Sequence, residues 1–155
     1  MNKQAETILL IGYGNPGRLD DGLGPKLSEE INKLNLPDVT VDSNYQLTVE
    51  DAAAVAEHDI VIFADACVDS KDPFYFKKII PKEDMSFTTH SITPENVLAI
   101  SHNLFGAETK GYLLGIKGYK FNEFGSQLSE GAKNNLNLAL EYLKDLMNIM
   151  RSYYH

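Results

Sequence analysis

The sequence is poor in cysteine and in basic side chains, and each deficit removes a class of protein. Cys67 is the single cysteine among 155 residues, so an internal disulfide framework of the kind found in small secreted domains is excluded. Only 14 basic side chains stand against 22 acidic ones, giving a net charge of −8. Because nucleic-acid binding depends on clustered cations, we expect no nucleic-acid partner.

Long apolar runs, repeats and low-complexity tracts are also missing. The apolar segments are far shorter than the roughly 20 residues that a membrane-spanning helix needs, and no charged and apolar signal segment precedes the first predicted strand. We therefore expect a soluble, cytoplasmic protein that does not contact a membrane. A chain of 155 residues is also close to the usual size of one domain, so we predict a single domain over 1–155.

Short β-branched runs alternate with amphipathic segments along the chain. The former predict strands over 7–11, 39–43, 59–64, 74–80, 86–89 and 110–116. The latter predict helices over 48–58, over 93–104, from 129 onward, and between the Asp20–Asp21 pair and Pro37. This alternation predicts an α/β fold with three layers, in which a mostly parallel, twisted sheet of about five strands carries helices on both faces.

Three polar side chains follow predicted strands. Asp21 lies in the glycine-rich loop after the first strand, Asp65 ends an apolar strand, and His90 follows a third strand. Sites in such folds gather where the carboxyl ends of parallel strands meet, so these three residues are expected at one edge of the sheet. Two carboxylates and an imidazole suit a divalent transition metal such as nickel or zinc.

Each of these residues also has a purely structural interpretation. Asp20 and Asp21 precede a helix, where short carboxylates cap free N–H groups, and we expect this role for Asp20. Asp65 could simply accept hydrogen bonds from its loop, and His90 could be an ordinary turn histidine.

Two rival sites use neighbouring residues. Gly12, Gly14 and Gly17 match the G-x-G-x-x-G spacing of a dinucleotide-binding loop, with Asp42 near the position of a ribose-binding acid. The delayed helix start and the adjacent acidic pair argue against a bound pyrophosphate. Cys67 could be the nucleophile of a thiol peptidase, although a lone cysteine after a buried strand usually acts as a small apolar side chain.

Three segments together resemble a known family. GYGNPGRLDDGLG at 12–24, VIFADA at 61–66 and TTHS at 88–91 are similar, in order and in character, to the signature segments of the hydrogenase maturation endopeptidases. The resemblance runs from about residue 7 to residue 130. It implies an endopeptidase that removes the carboxyl-terminal extension of a nickel-iron hydrogenase large-subunit precursor after nickel has been inserted.

The resemblance also implies roles for individual residues. Asp21, Asp65 and His90 match the two acidic positions and the histidine with which the family engages nickel, and the two acids are the candidate catalytic residues of an aspartic-type peptidase. Nickel is expected to arrive with the precursor, which is the expected partner. The first acid is often Glu in relatives, so Asp21 has a shorter reach. The alternative is a metal-binding or hydrogenase-binding protein that does not cut its partner.

Overall fold

The computed structural model describes residues 5–83 and 92–152. Its strands are β1 (Ile8–Tyr13), β2 (Val39–Asn44), β3 (Ile60–Cys67), β4 (Phe74–Ile79) and β5 (Lys110–Lys117). Its α-helices are α1 (Leu23–Asn32), α2 (Asp51–Ala56), α3 (Pro94–Phe105) and α4 (Glu130–Ser152), and a short 3-10 helix spans Leu19–Gly22.

The strands form one sheet in the order β2-β1-β3-β5-β4. Every neighbouring pair is parallel except β4 and β5, which are antiparallel. The predicted α/β fold with a mostly parallel sheet of about five strands is therefore confirmed. The edge strand β4 carries the exposed Lys77 and Lys78, and such charges discourage pairing of a free edge with other chains.

Helices cover both faces of the sheet, which confirms the three layers. Alternate residues of β1 and β3, among them Leu10 and Ile62, pack with α1 and α4 in one apolar cluster. The intervening residues, among them Ile11 and Phe63, pack with α2 and α3 in a second cluster. Burial on both faces explains why these strands are nearly continuous apolar runs.

Close packing of α1 against β1 explains two of the glycines. A Cβ atom on Gly12 would collide with the Gly24 carbonyl oxygen and the Ser28 hydroxyl, and one on Gly24 would lie 2.5 Å from the Ala64 carbonyl oxygen. Strand β1 continues through Gly12 to Tyr13, two residues beyond the end of the strand predicted over 7–11. Strand β3 likewise runs two residues beyond its predicted end at Asp65.

Several local predictions concern helix ends. The predicted helix over 93–104 is confirmed as α3, which Thr93 caps through a capping box with Asn96 and which Gly106 ends in the left-handed conformation. Helix α2 is shorter than the predicted 48–58, because Thr48 donates its N–H to Asp51 Oδ2 at 2.8 Å in a turn that precedes the helix. The predicted strand at 86–89 lies outside the described residues. Within 5–83 and 92–152, no helix is long and apolar enough to cross a membrane.

Candidate active site

The carboxyl ends of β1 and β3 lie at the point where the chain changes direction across the sheet. After β1 the chain crosses through α1 to β2 on one side, whereas after β3 it continues to β4 and β5 on the other. Ligands of open α/β sheets bind in the crevice at such a switch point. Asp21 belongs to the segment that follows β1, and Asp65 lies on β3 two residues before its carboxyl end.

Asp65 is a half-buried carboxylate near the carboxyl end of the central strand β3. The pKa of Asp65 is raised to about 6, mainly because the carboxyl group is buried and in part because of the negative charge of Asp21. The Ala66 N–H and the Tyr13 phenol lower it, since both stabilise the ionised carboxylate. The Ala66 N–H donates to Asp65 Oδ1 at 2.8 Å. The 3-10 turn that contains Asp21 contacts β3, so the two predicted acids lie in neighbouring segments, close enough for the charge of Asp21 to affect the pKa of Asp65.

Asp21 lies in the 3-10 turn Leu19–Gly22 and organises its own loop. Its Oδ2 accepts a hydrogen bond from the Asn15 N–H at 2.8 Å. Neither the 3-10 turn nor α1 has a side-chain cap, so the capping interpretation of Asp21 is wrong. The same contact argues against a dinucleotide, because an N–H of the glycine-rich loop that would bind a phosphate already donates to a carboxylate.

Asp20 has a different role from the helix cap that we expected. It is fully buried, and it accepts hydrogen bonds from the N–H groups of Tyr119, Lys120 and Ser129 and from the Ser129 hydroxyl, at 2.7–2.9 Å. Asp20 therefore anchors the loop between β5 and α4, rather than capping the helix that follows it in the chain.

The third predicted ligand, His90, lies outside the described residues. Among residues 5–83 and 92–152 no three His, Cys, Asp or Glu side chains converge as a metal site. The described part of the chain thus supplies two carboxylates at the switch point, and the metal site formed by Asp21, Asp65 and His90 stays a prediction. Carboxylate oxygens can bind nickel or zinc, but two of them leave its coordination incomplete.

Two tyrosines near Asp65 were not predicted. Burial raises the pKa of Tyr13, and the Asp65 carboxylate raises it further. Burial also raises the pKa of Tyr75, with contributions from Cys67, Asp65 and Glu95. Strand alternation could have indicated Tyr75, whereas Tyr13 was assigned to a loop.

Cys67 lies on β3 two residues beyond Asp65. Burial raises the pKa of the Cys67 thiol, the Ser70 N–H acts against this, and Asp65 raises it further. The thiolate is the nucleophilic form of cysteine, and this environment disfavours it. The geometry therefore gives no support to a thiol peptidase.

Replacing Asp65 with Asn should stabilise the protein at alkaline pH. The folded-state pKa of about 6 exceeds the value of about 3.9 expected for an unfolded chain, so ionisation of Asp65 costs stability as the pH rises from 4 to 7. We expect Asp65→Asn to raise the free energy of unfolding by about 2 kcal/mol at pH 8 and by almost nothing below pH 4. Urea unfolding at both pH values measures this, and an equal effect at pH 4 and 8 would contradict the assigned pKa.

No protein-family model matches the sequence, and no curated protein is significantly similar to it. Solved structures with the same architecture do exist, and they define the class of fold. The chain has the fold of the hydrogenase maturation proteases, so the resemblance inferred from its motifs is confirmed at the level of the fold.

Three of these structures illustrate the similarity. The [NiFe] hydrogenase maturation protease HycI from Thermococcus kodakarensis KOD1 has a TM-score of 0.73 and 21% identity, over 93% of this chain and 94% of that one. The hydrogenase 2 maturation peptidase from Thaumarchaeota archaeon SCGC_AB-539-E09 has a TM-score of 0.68 and 22% identity, over 93% and 99%. The hydrogenase maturating endopeptidase HybD from E. coli has a TM-score of 0.64 and 20% identity, over 92% of each chain.

Proposed function

We propose that this protein is an endopeptidase that removes the carboxyl-terminal extension of a nickel-iron hydrogenase large-subunit precursor after nickel insertion. The proposal is supported chiefly by the placement of Asp21 and Asp65 beside the switch point of the sheet, in a fold shared with solved hydrogenase maturation proteases. His90 is the third member of the proposed set. It precedes the described residues 92–152 by two positions.

In this proposal nickel belongs to the substrate. Asp21, Asp65 and His90 contact nickel that the precursor already holds, so a precursor without nickel lacks the group that the site recognises. The electrostatics support this role, because Asp21 and Asp65 repel each other and a divalent cation between them would remove that repulsion. The acidic net charge of −8 also favours a cationic group in the substrate.

The two carboxylates also provide the chemistry of hydrolysis. Water attacks the scissile carbonyl carbon, one carboxylate accepts the proton of that water, and the proton is then delivered to the leaving amine. The side-chain amide of Asn15 is a candidate for stabilising the developing oxyanion, because the N–H groups of Gly14 and Asn15 already donate to the Asn44 carbonyl and to Asp21.

The isolated protein should bind nickel only modestly, because its own side chains leave the coordination sphere incomplete. His90→Ala should weaken that binding at least about tenfold, and binding by the wild type should weaken below about pH 6, where an ordinary histidine becomes protonated. Isothermal titration calorimetry with NiCl2 at pH 5.5 and 7.5 measures both effects. Equal affinity in the wild type and His90→Ala would remove His90 from the site.

Incubation of the purified protein with a nickel-loaded precursor tests the proposed activity. The expected result is a single shortened large subunit whose mass corresponds to loss of one carboxyl-terminal peptide. Binding of the precursor without any change in its mass would instead support the non-catalytic metal-binding or hydrogenase-binding protein.

A further inference from the structure

A single row of residues runs across the sheet at the candidate active site. In the strand register Tyr13 pairs with Asn44, and Asp65 pairs with Gly115. Gly12 pairs with Ala64, so the next residues along these parallel strands, Tyr13 and Asp65, are also neighbours. Side chains of one row point to the same face of a sheet.

The face is the one covered by α2 and α3. Tyr13 packs against the apolar cluster on that face, which also contains Ile11 and Phe63. Ile11 lies two residues before Tyr13, and Phe63 lies two residues before Asp65, so strand alternation places both side chains of the row on this face. The two side chains lie next to each other on this face, and the Tyr13 phenol interacts there with the Asp65 carboxylate.

Gly115 leaves room for a second tyrosine on the other side of Asp65. Tyr75 pairs with Gly115 across β4 and β5, and its ring lies directly over that glycine, where a Cβ atom would collide with it. The ring fills the space next to Asp65 that a side chain at position 115 would otherwise occupy. Asp65 is thus confined by Tyr13 on one side and by the Tyr75 ring on the other.

We infer that Tyr13 is a positioning residue, whose phenol holds the Asp65 carboxylate in the orientation that receives the metal of the substrate. This inference rests on the proposed function. The Ala66 N–H engages Oδ1 of Asp65, and the Tyr13 phenol adds a second contact from the side chain next to it. Two contacts fix the plane of a carboxylate that one contact would leave free to rotate.

The test compares the wild type with Tyr13→Phe and a matched control, Tyr112→Phe. Tyr112 is a half-buried tyrosine that stacks on Phe76, at 5.2 Å between ring centroids, on the face covered by α1 and α4. Calorimetry with NiCl2 alone gives the nickel affinity of each protein, and initial rates with nickel-loaded precursor give kcat and KM. Thermal unfolding verifies that each variant is folded.

Loss of a group that orients a metal ligand typically costs 10- to 100-fold in metal affinity or activity. We therefore expect Tyr13→Phe to weaken nickel binding about tenfold and to raise KM for the precursor, whereas Tyr112→Phe should match the wild type. A purely structural effect would lower the active fraction, and hence the apparent kcat, without raising KM.

Failure of the proposed function and failure of the inference about Tyr13 would give different results. A wild type that binds nickel but leaves the precursor intact would contradict the proposed function, and the ratio of nickel affinities would still decide the role of Tyr13. Equal nickel affinity and equal KM in Tyr13→Phe and Tyr112→Phe would overturn the inference even if the wild type cuts normally. A wild type without measurable nickel binding would also overturn it.

Discussion

Replacing Asp21 with Asn is expected to reduce processing of the nickel-loaded precursor by about a hundredfold or more, because it removes a proposed metal ligand, and even a group that only orients such a ligand is worth 10- to 100-fold. The fold should survive the change. An Asn side chain still offers an oxygen to the Asn15 N–H that Asp21 binds, and the loss of one charge relieves the repulsion with Asp65. The measurement is the rate at which the shortened large subunit appears, followed by mass.

Cys67→Ser is the matched control for that experiment, since it changes a neighbouring side chain that we exclude from the chemistry. Burial keeps the pKa of the Cys67 thiol above its usual value, which disfavours the nucleophilic thiolate, so we expect the variant to cut. Full activity in Asp21→Asn, together with loss of activity in a folded Cys67→Ser variant, would make the thiol peptidase the better hypothesis.

Replacing Asp20 with Ala is expected to lower the free energy of unfolding by about 3–5 kcal/mol, because it leaves several buried donors without an acceptor. The carboxylate is fully buried and accepts hydrogen bonds from the N–H groups of Tyr119, Lys120 and Ser129. The loop that Asp20 holds also pairs with the site loop, since the Leu19 N–H donates to the Gly125 carbonyl at 2.8 Å.

The Asp20 contribution should also depend on pH. Burial opposes ionisation of Asp20, but the hydrogen bonds from Ser129, Tyr119 and Lys120 outweigh it and hold its pKa below the ordinary value. The stability that Asp20 provides is therefore present above about pH 4 and is lost as the pH falls through the lowered pKa.

Guanidinium unfolding at pH 7 measures the loss, with Glu123→Ala as the control. Glu123 is an exposed acid in the same loop, and its replacement should change stability by less than about 0.5 kcal/mol. A similarly small effect in Asp20→Ala would show that the loop does not depend on this carboxylate.

The layered fold could be predicted because the signals for it are local. Strand β3 is an apolar, β-branched run bounded by polar residues, which is the composition typical of a strand that is buried on both faces. Helix α3 begins at Pro94 and is capped by Thr93. Thr at the cap and Pro at the first helical position favour a helix start in any sequence context. Asp21 and Asp65 could be placed at one edge because parallel strands bring their carboxyl ends together.

The role of Asp20 could not be predicted, because its partners are distant in the chain. Ser129 lies 109 residues away, and a carboxylate before a helix looks the same whether it caps that helix or holds another loop. Tyr13 was missed for a related reason. Its position beside Asp65 depends on the register of β1 and β3, and the glycines around it suggested a loop where the strand in fact continues.

The most direct test of the central claim is cleavage by the wild-type protein of one precursor prepared with and without nickel. The two preparations differ only in the metal, so any difference in rate reports recognition of that metal. If Asp21, Asp65 and His90 contact nickel in the substrate, the loaded precursor is converted to the shortened subunit and the nickel-free precursor stays intact. Equal cleavage of both preparations would contradict the account.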